Sequence, residues 1–185
     1  RLLALPDTDG GLGSVLFGTG GDAGLRDVPF LTGKLATDLP AGRYRLEGTL
    51  ANPDLAYLGF LLGGYRFTRY KAAESRGVTL DPPAGAKAAD IEAIAAAVMA
   101  GRDLINTPAN DLTTTDLAAA VHALARTHGA EVKEIIGDDL LKANFPLIHA
   151  VGRASAFPPR IIEFRWGDLK APKVALVGKG VVFDT

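Results

Sequence analysis

The chain has 185 residues, 48% hydrophobic and 22% charged, and its 20 Lys+Arg against 21 Asp+Glu give a net charge of -1. Such a composition is globular and excludes a wholly disordered chain, while the lack of a basic excess disfavours nucleic acid as a partner. No apolar run approaches the roughly 20 residues a bilayer needs, and the absence of cysteine excludes disulfides, zinc–thiolate sites and cysteine nucleophiles, which fits a reducing compartment.

Residues 1–85 mix glycine-rich loops with short apolar runs. Ser14-Val15-Leu16-Phe17 reads as a strand, followed by the loop Gly18-Thr19-Gly20-Gly21-Asp22-Ala23. The alternation over 43–48 predicts a second strand after the Pro40-Ala41-Gly42 turn. Leu55, Leu58, Leu61 and Leu62 recur at helical spacing, so 54–65 is predicted to be a helix started by Asn52-Pro53. Asp81-Pro82-Pro83-Ala84-Gly85 is the linker candidate, because paired prolines are extended and end regular structure.

An Ala-rich helix is predicted over 88–105, with Ile91, Ile94, Val98 and Ile105 on one face and Pro108 forcing its end. Thr113 and Asp116 have the spacing of a capping box. The helix that follows runs to His128 and places Leu117, Val121, Leu124 and Ala125 inward, and Gly129 is its left-handed stop. Strands are predicted over 131–136, 147–151, 160–166 and 173–177, with a short helix over 138–142. The short connection 167–172 predicts that the last two strands pair antiparallel. The whole reads as an α/β protein. It comprises a small N-terminal α/β domain at 1–85, a connecting helix at 86–106, and the first part of a mixed-sheet α/β catalytic domain at 107–185.

Several site patterns are absent. No Gly-x-Ser-x-Gly elbow surrounds Ser14, Ser75 or Ser155, and His122, His128 and His149 form no His-Glu-x-x-His pattern. His122 and His128 read as surface or packing residues, and His149 as an interior residue of its strand. The Gly18 loop nearly spells a dinucleotide fingerprint, but Pro29 interrupts any helix behind it and a surface loop is the better reading. Gly178-Lys179-Gly180 fails as a phosphate-binding loop, since Val174 stands where its first glycine belongs and Gly180 where Ser or Thr belongs.

What remains is the run from Val174 to Thr185. Lys179 sits between two glycines after an apolar stretch, and Asp184 closes a second apolar run five residues on. Fully extended, those side chains would stand roughly 17 Å apart. Gly178 and Gly180 allow the chain to fold back and bring amine and carboxylate together, at the strand end where open α/β sheets bind ligands. An ordinary ion pair, or two unrelated solvated residues, is the competing reading from spacing alone.

Val177-Gly178-Lys179-Gly180-Val181-Val182-Phe183-Asp184-Thr185 resembles the metal-binding segment of the leucyl (cytosol) aminopeptidases. Three further stretches resemble that family in the right order. They are Gly64-Tyr65-Arg66-Phe67-Thr68-Arg69-Tyr70-Lys71, then Gly101-Arg102-Asp103-Leu104-Ile105-Asn106-Thr107-Pro108-Ala109-Asn110, and Val151-Gly152-Arg153-Ala154-Ser155 with Pro158-Pro159-Arg160. Ala154 replaces the family's usual glycine. Residues 1–63 match only loosely.

The resemblance implies a two-metal exopeptidase in which Lys179 and Asp184 are metal ligands. A lysine ligates only as the neutral amine, a form that neighbouring dications favour. Two ions roughly 3.5–4 Å apart polarise the scissile carbonyl, activate a water and hold the free amino group of the peptide. The ions implied are Mn or Zn first, with Mg or Co as alternatives, and a bicarbonate as general base. No catalytic side chain lies in this chain on that reading. The family's two further Asp, its Glu, its second Lys and its bicarbonate-holding Arg are expected downstream of Thr185, in a longer polypeptide of which these residues are the first part. The resemblance also implies peptide substrates, a homohexamer and a cytoplasmic location without membrane attachment. A basic-aromatic cluster, Arg66, Phe67, Arg69, Tyr70 and Lys71, is expected to form an amphipathic interface helix. A non-catalytic assembly or DNA-binding subunit of the same family is the alternative.

Overall fold

The computed structural model describes residues 2–20 and 28–181. The chain divides into two compact units, Arg1–Asp103 and Leu104–Thr185.

In the first unit, β1 (Leu2–Pro6) and β2 (Leu12–Phe17) form an antiparallel hairpin whose register runs from Leu2 opposite Phe17 to Pro6 opposite Leu12. The Asp7 carboxylate closes its turn by accepting the N–H groups of Asp9 at 2.9 Å and Gly11 at 2.7 Å. A single 3-10 turn, Leu31–Lys34, leads into the short helix α1 (Leu35–Asp38). β3 (Gly42–Tyr44) pairs in parallel with β4 (Val78–Leu80). The strand expected over 43–48 stops at Tyr44, because β4 offers three partner residues and no more.

Helix α2 (Pro53–Gly63) starts as its sequence predicts. The Asn52 side chain accepts the Leu55 N–H at 3.0 Å and Pro53 occupies the first turn. The helix buries Tyr57, Leu58 and Phe60 in one core with Leu35, Leu39, Leu80 and Ile91. It approaches the Leu31–Lys34 turn so closely that a Cβ on Gly63 would stand 2.2 Å from the Gly33 carbonyl oxygen, and Thr32 donates its hydroxyl to the Ala56 carbonyl at 2.7 Å. Only glycine fits at Gly63. The helix expected over 65–71 is not formed. Residues 65–77 are irregular because the end of α2 is already closed: Gly64 N–H donates to the carbonyls of Phe60 and Leu61, and Arg66 donates to those of Gly63 and Tyr65.

Helix α3 (Ala88–Asn106) covers its predicted range with one residue added. Its buried face is narrower than expected: Ile91 and Ala95 are buried, whereas Ile94, Val98 and Ile105 are exposed. Positions 91 and 95 are one helical turn apart, so the burying stripe is a single i, i+4 row.

In the second unit, α4 (Thr114–His128) has both predicted ends. Asp116 accepts the Thr113 N–H at 2.9 Å while the Thr113 hydroxyl accepts the Asp116 N–H at 3.4 Å, and Gly129 sits at φ +65°. β5 (Glu131–Ile136) pairs antiparallel with β6 (Arg160–Arg165), from Glu131 opposite Arg165 to Ile136 opposite Arg160. Between them, α5 (Asp139–Lys142) buries Leu140 completely.

Two expected strands are corrected. Residues 147–151 lie in a helix, α6 (Pro146–Gly152), because Pro146 pre-sets its first turn and the His149 ring bonds the Asp138 carboxylate at 3.0 Å. His149 is therefore a helical residue with a carboxylate partner, not an interior strand residue. Residues 172–181 carry no regular structure, so neither the strand at 173–177 nor its antiparallel pairing with 160–166 exists. The partner of β6 is β5, and residues 173–177 pair with neither free edge of that two-stranded sheet, so their backbone N–H and C=O groups form no ladder. Val174, Leu176 and Val177 are accordingly 86%, 95% and 96% exposed. The α/β class holds, with helices around one parallel and two antiparallel strand pairs. Among the described residues no helix is long and apolar enough to cross a membrane.

Candidate metal centre

Lys179 lies on the irregular segment that ends the described chain, exposed, between Gly178 and Gly180. Among the described residues its amine has no hydrogen-bond or ion-pair partner, and no group of three His, Asp or Glu is arranged to hold a cation. Asp184, the second expected ligand, lies outside the described residues, as do Gly21, Asp22 and Ala23 of the glycine-rich loop. Of the two expected ligands, the described part of the chain carries Lys179. Lys179 fits the role in its chemistry: once deprotonated its nitrogen is a donor, and no protein partner among the described residues competes for it.

The segment meets the body of its unit just after Lys179. Gly180 and Val181 line a groove of about 240 Å³ with Leu104, Ile105, Ala109, Leu112 and Leu117. The groove wall is the turn after α3. Pro108 ends the helix, its carbonyl accepts the N–H groups of Asp111 and Leu112, each at 2.9 Å, and Thr107 is buried beneath. The motif residues Asn106 to Asn110 thus act here as a helix stop that shapes an apolar wall.

A second polar cluster was not legible in the sequence. Glu134 on β5 accepts Arg160 Nη1 from β6 at 2.7 Å and bonds the His122 ring of α4 at 3.1 Å, and Arg160 Nη2 donates to Thr115 at 2.8 Å. Burial works to raise the Glu134 carboxyl, but the hydrogen bonds and charges of His122 and Arg160 outweigh it and hold the group below its ordinary range. Arg160 Nε is buried without a partner. The sequence predicts strands over 131–136 and 160–166 but not their pairing, and 26 residues separate Glu134 from Arg160, so no local spacing joins them. Arg102 and Asp103 make structural contacts. Arg102 donates to the Leu62 carbonyl at 3.1 Å and stacks 5.3 Å above Tyr65, whose hydroxyl donates to Asp103 at 2.7 Å.

Comparison with known proteins reveals a common pattern across both units. The family model for the catalytic domain of the cytosol aminopeptidase family matches residues 99–185, and that for the M17 aminopeptidase N-terminal domain matches 1–81. The chain belongs to the cytosol aminopeptidase family. A relative described as a probable cytosol aminopeptidase of Mycobacterium ulcerans (strain Agy99) is 35% identical over 144 residues, covering 69% of this chain and 28% of its own length. The crystal structure of the cytosol aminopeptidase from Coxiella burnetii superposes with a TM-score of 0.83 at 34% identity, over 93% of this chain and 37% of that one. The bottromycin maturation enzyme BotP in complex with Mn superposes with a TM-score of 0.72 at 29% identity, over 89% of this chain and 38% of its own. The chain therefore spans under two fifths of the length of these family members.

Proposed function

We propose that this protein is a metal-dependent aminopeptidase that removes N-terminal residues, leucine-type first, from peptides in the cytoplasm, working as a homohexamer. The observation that carries the reading is Lys179. It is an exposed, unpaired amine between two glycines, inside the range matched by the catalytic-domain family model. Lys179 and Asp184 would hold the cations, and Mn is the first choice, as a family neighbour has been solved with it. When bound, two cations polarise the scissile carbonyl and supply an activated water. Lys179 contributes a neutral nitrogen donor and Asp184 negative charge, so together they lower the net charge of the centre by one. The domain division we propose is 1–85, 86–106 and 107–185, supported by the matched ranges 1–81 and 99–185.

The test is hydrolysis of leucine p-nitroanilide by the full-length protein with Mn or Zn added. Activity that vanishes with chelation, and that Lys179→Ala and Asp184→Ala each nearly abolish, supports the reading. Full activity in either variant removes that residue from the centre.

A further inference from the structure

The two glycines beside Lys179 have different surroundings. A Cβ on Gly178 would meet nothing within 4 Å, whereas one on Gly180 would lie 3.3 Å from Leu117 Cδ2. Upstream of Lys179 the segment is solvated, with Val177 96% exposed, and downstream it settles into the groove, with Val181 38% exposed. Leu117 is itself held in place. It sits one residue beyond Asp116, whose carboxylate locks the start of α4, and its own N–H donates to the Thr113 carbonyl at 3.0 Å.

We propose that Leu117 is a positioning residue for the metal centre: its methyl group, beside the Gly180 face that lacks a Cβ in their shared groove, fixes the backbone that carries Lys179. The inference rests on Lys179 being a ligand. An alanine at Gly180 is closer to Leu117 than ordinary contact allows, so segment or side chain must shift by a few tenths of an ångström. Metal–ligand distances hold to within about 0.2 Å, so a shift of that size in the segment is felt at the cation. Gly180 therefore supplies contact where Gly178 supplies freedom.

The experiment measures Mn affinity of the full-length enzyme by calorimetry, alongside the Tm of the metal-free protein and the separate kcat and KM. Gly180→Ala is expected to weaken Mn binding about tenfold, the scale on which outer supporting residues act. Metal-free Tm stays unchanged and kcat falls more than KM. Adding Leu117→Val, which removes the colliding methyl, restores most of the affinity. Should Gly180→Ala not fold, Leu117→Phe makes the same collision from the other side and is expected to weaken Mn binding likewise. Unchanged affinity in whichever of these folds, or a double variant no better than Gly180→Ala, overturns the proposal. Lys179→Ala separates the two levels. If it weakens Mn binding while Gly180→Ala does not, only the role of Leu117 falls; if it leaves affinity unchanged, the ligand reading falls and this inference with it.

Discussion

Residues 53–63 and 173–177 are both largely apolar, yet one is the centre of a core and the other lies in solvent. Helix α2 satisfies its own backbone and needs neighbours only for its side chains, which Leu35, Leu39 and Leu80 supply. Residues 173–177 have the composition of a strand, and a strand needs a neighbour for its backbone as well. Residues 173–177 join neither free edge of the two-stranded β5–β6 sheet, and Leu176 stays 95% exposed. Apolar composition decides what a segment can bury, and the hydrogen-bond partner decides whether it does.

The strongest way to break this contrast is to disturb the buried member. Gly63→Val in the 185-residue chain places a side chain on the Gly33 carbonyl and is expected to cost about 3 kcal/mol or more, read by urea denaturation. A loss under about 1 kcal/mol would mean that α2 can slide away from the turn.

Next comes the polar cluster of the second unit. Glu134→Gln is expected to cost about 1–3 kcal/mol, since the part-buried Arg160 guanidinium loses its balancing charge. The sign with pH follows from the lowered Glu134 carboxyl: its stabilisation is complete above the ordinary carboxylate value of 4.5 and is lost as pH falls through the lower native one. A urea midpoint followed from pH 6 downward should fall in the native chain and be flatter in Glu134→Gln.

Tyr57 tests the same core from its polar side. Burial first, then its 2.8 Å hydrogen bond to Glu92, pushes the phenol from 10.0 up to about 12. Its raised value means stability is complete below pH 10 and is lost as pH rises through about 12. Tyr57→Phe should cost about 1 kcal/mol at neutral pH and remove that alkaline loss, measured by thermal unfolding at pH 8 and 11. The smallest effect is expected at the exposed member: Leu176→Asp in the 185-residue chain should change stability by less than about 0.5 kcal/mol. A loss of 2 kcal/mol or more would show the segment packed after all.

Sequence rules located those elements whose boundaries are set within a few residues. Asn52-Pro53, the Thr113–Asp116 box and Gly129 all act through neighbours in the chain, and each stands where its chemistry predicts. The misreadings share a cause. Residues 147–151 form a short apolar run that suits helix or strand, and the Pro146 start and the Asp138–His149 bond chose helix. For 173–177 the run has strand composition but joins no sheet edge, and composition alone does not set pairing. Of the site, Lys179 was legible as a glycine-flanked amine, but Leu117, 63 residues from Gly180, has no signature beyond an inward-facing leucine.

The closed ends of α4 bear on how the chain matures. Thr113, Asp116 and Gly129 emerge from a ribosome within seventeen residues of one another, so this helix can form during synthesis before β6 has been made. His122 and Glu134 are translated next to each other in time, and Arg160 arrives later to a carboxylate already waiting. Vectorial synthesis thus delivers the anion of this buried cluster ahead of the cation that matches it.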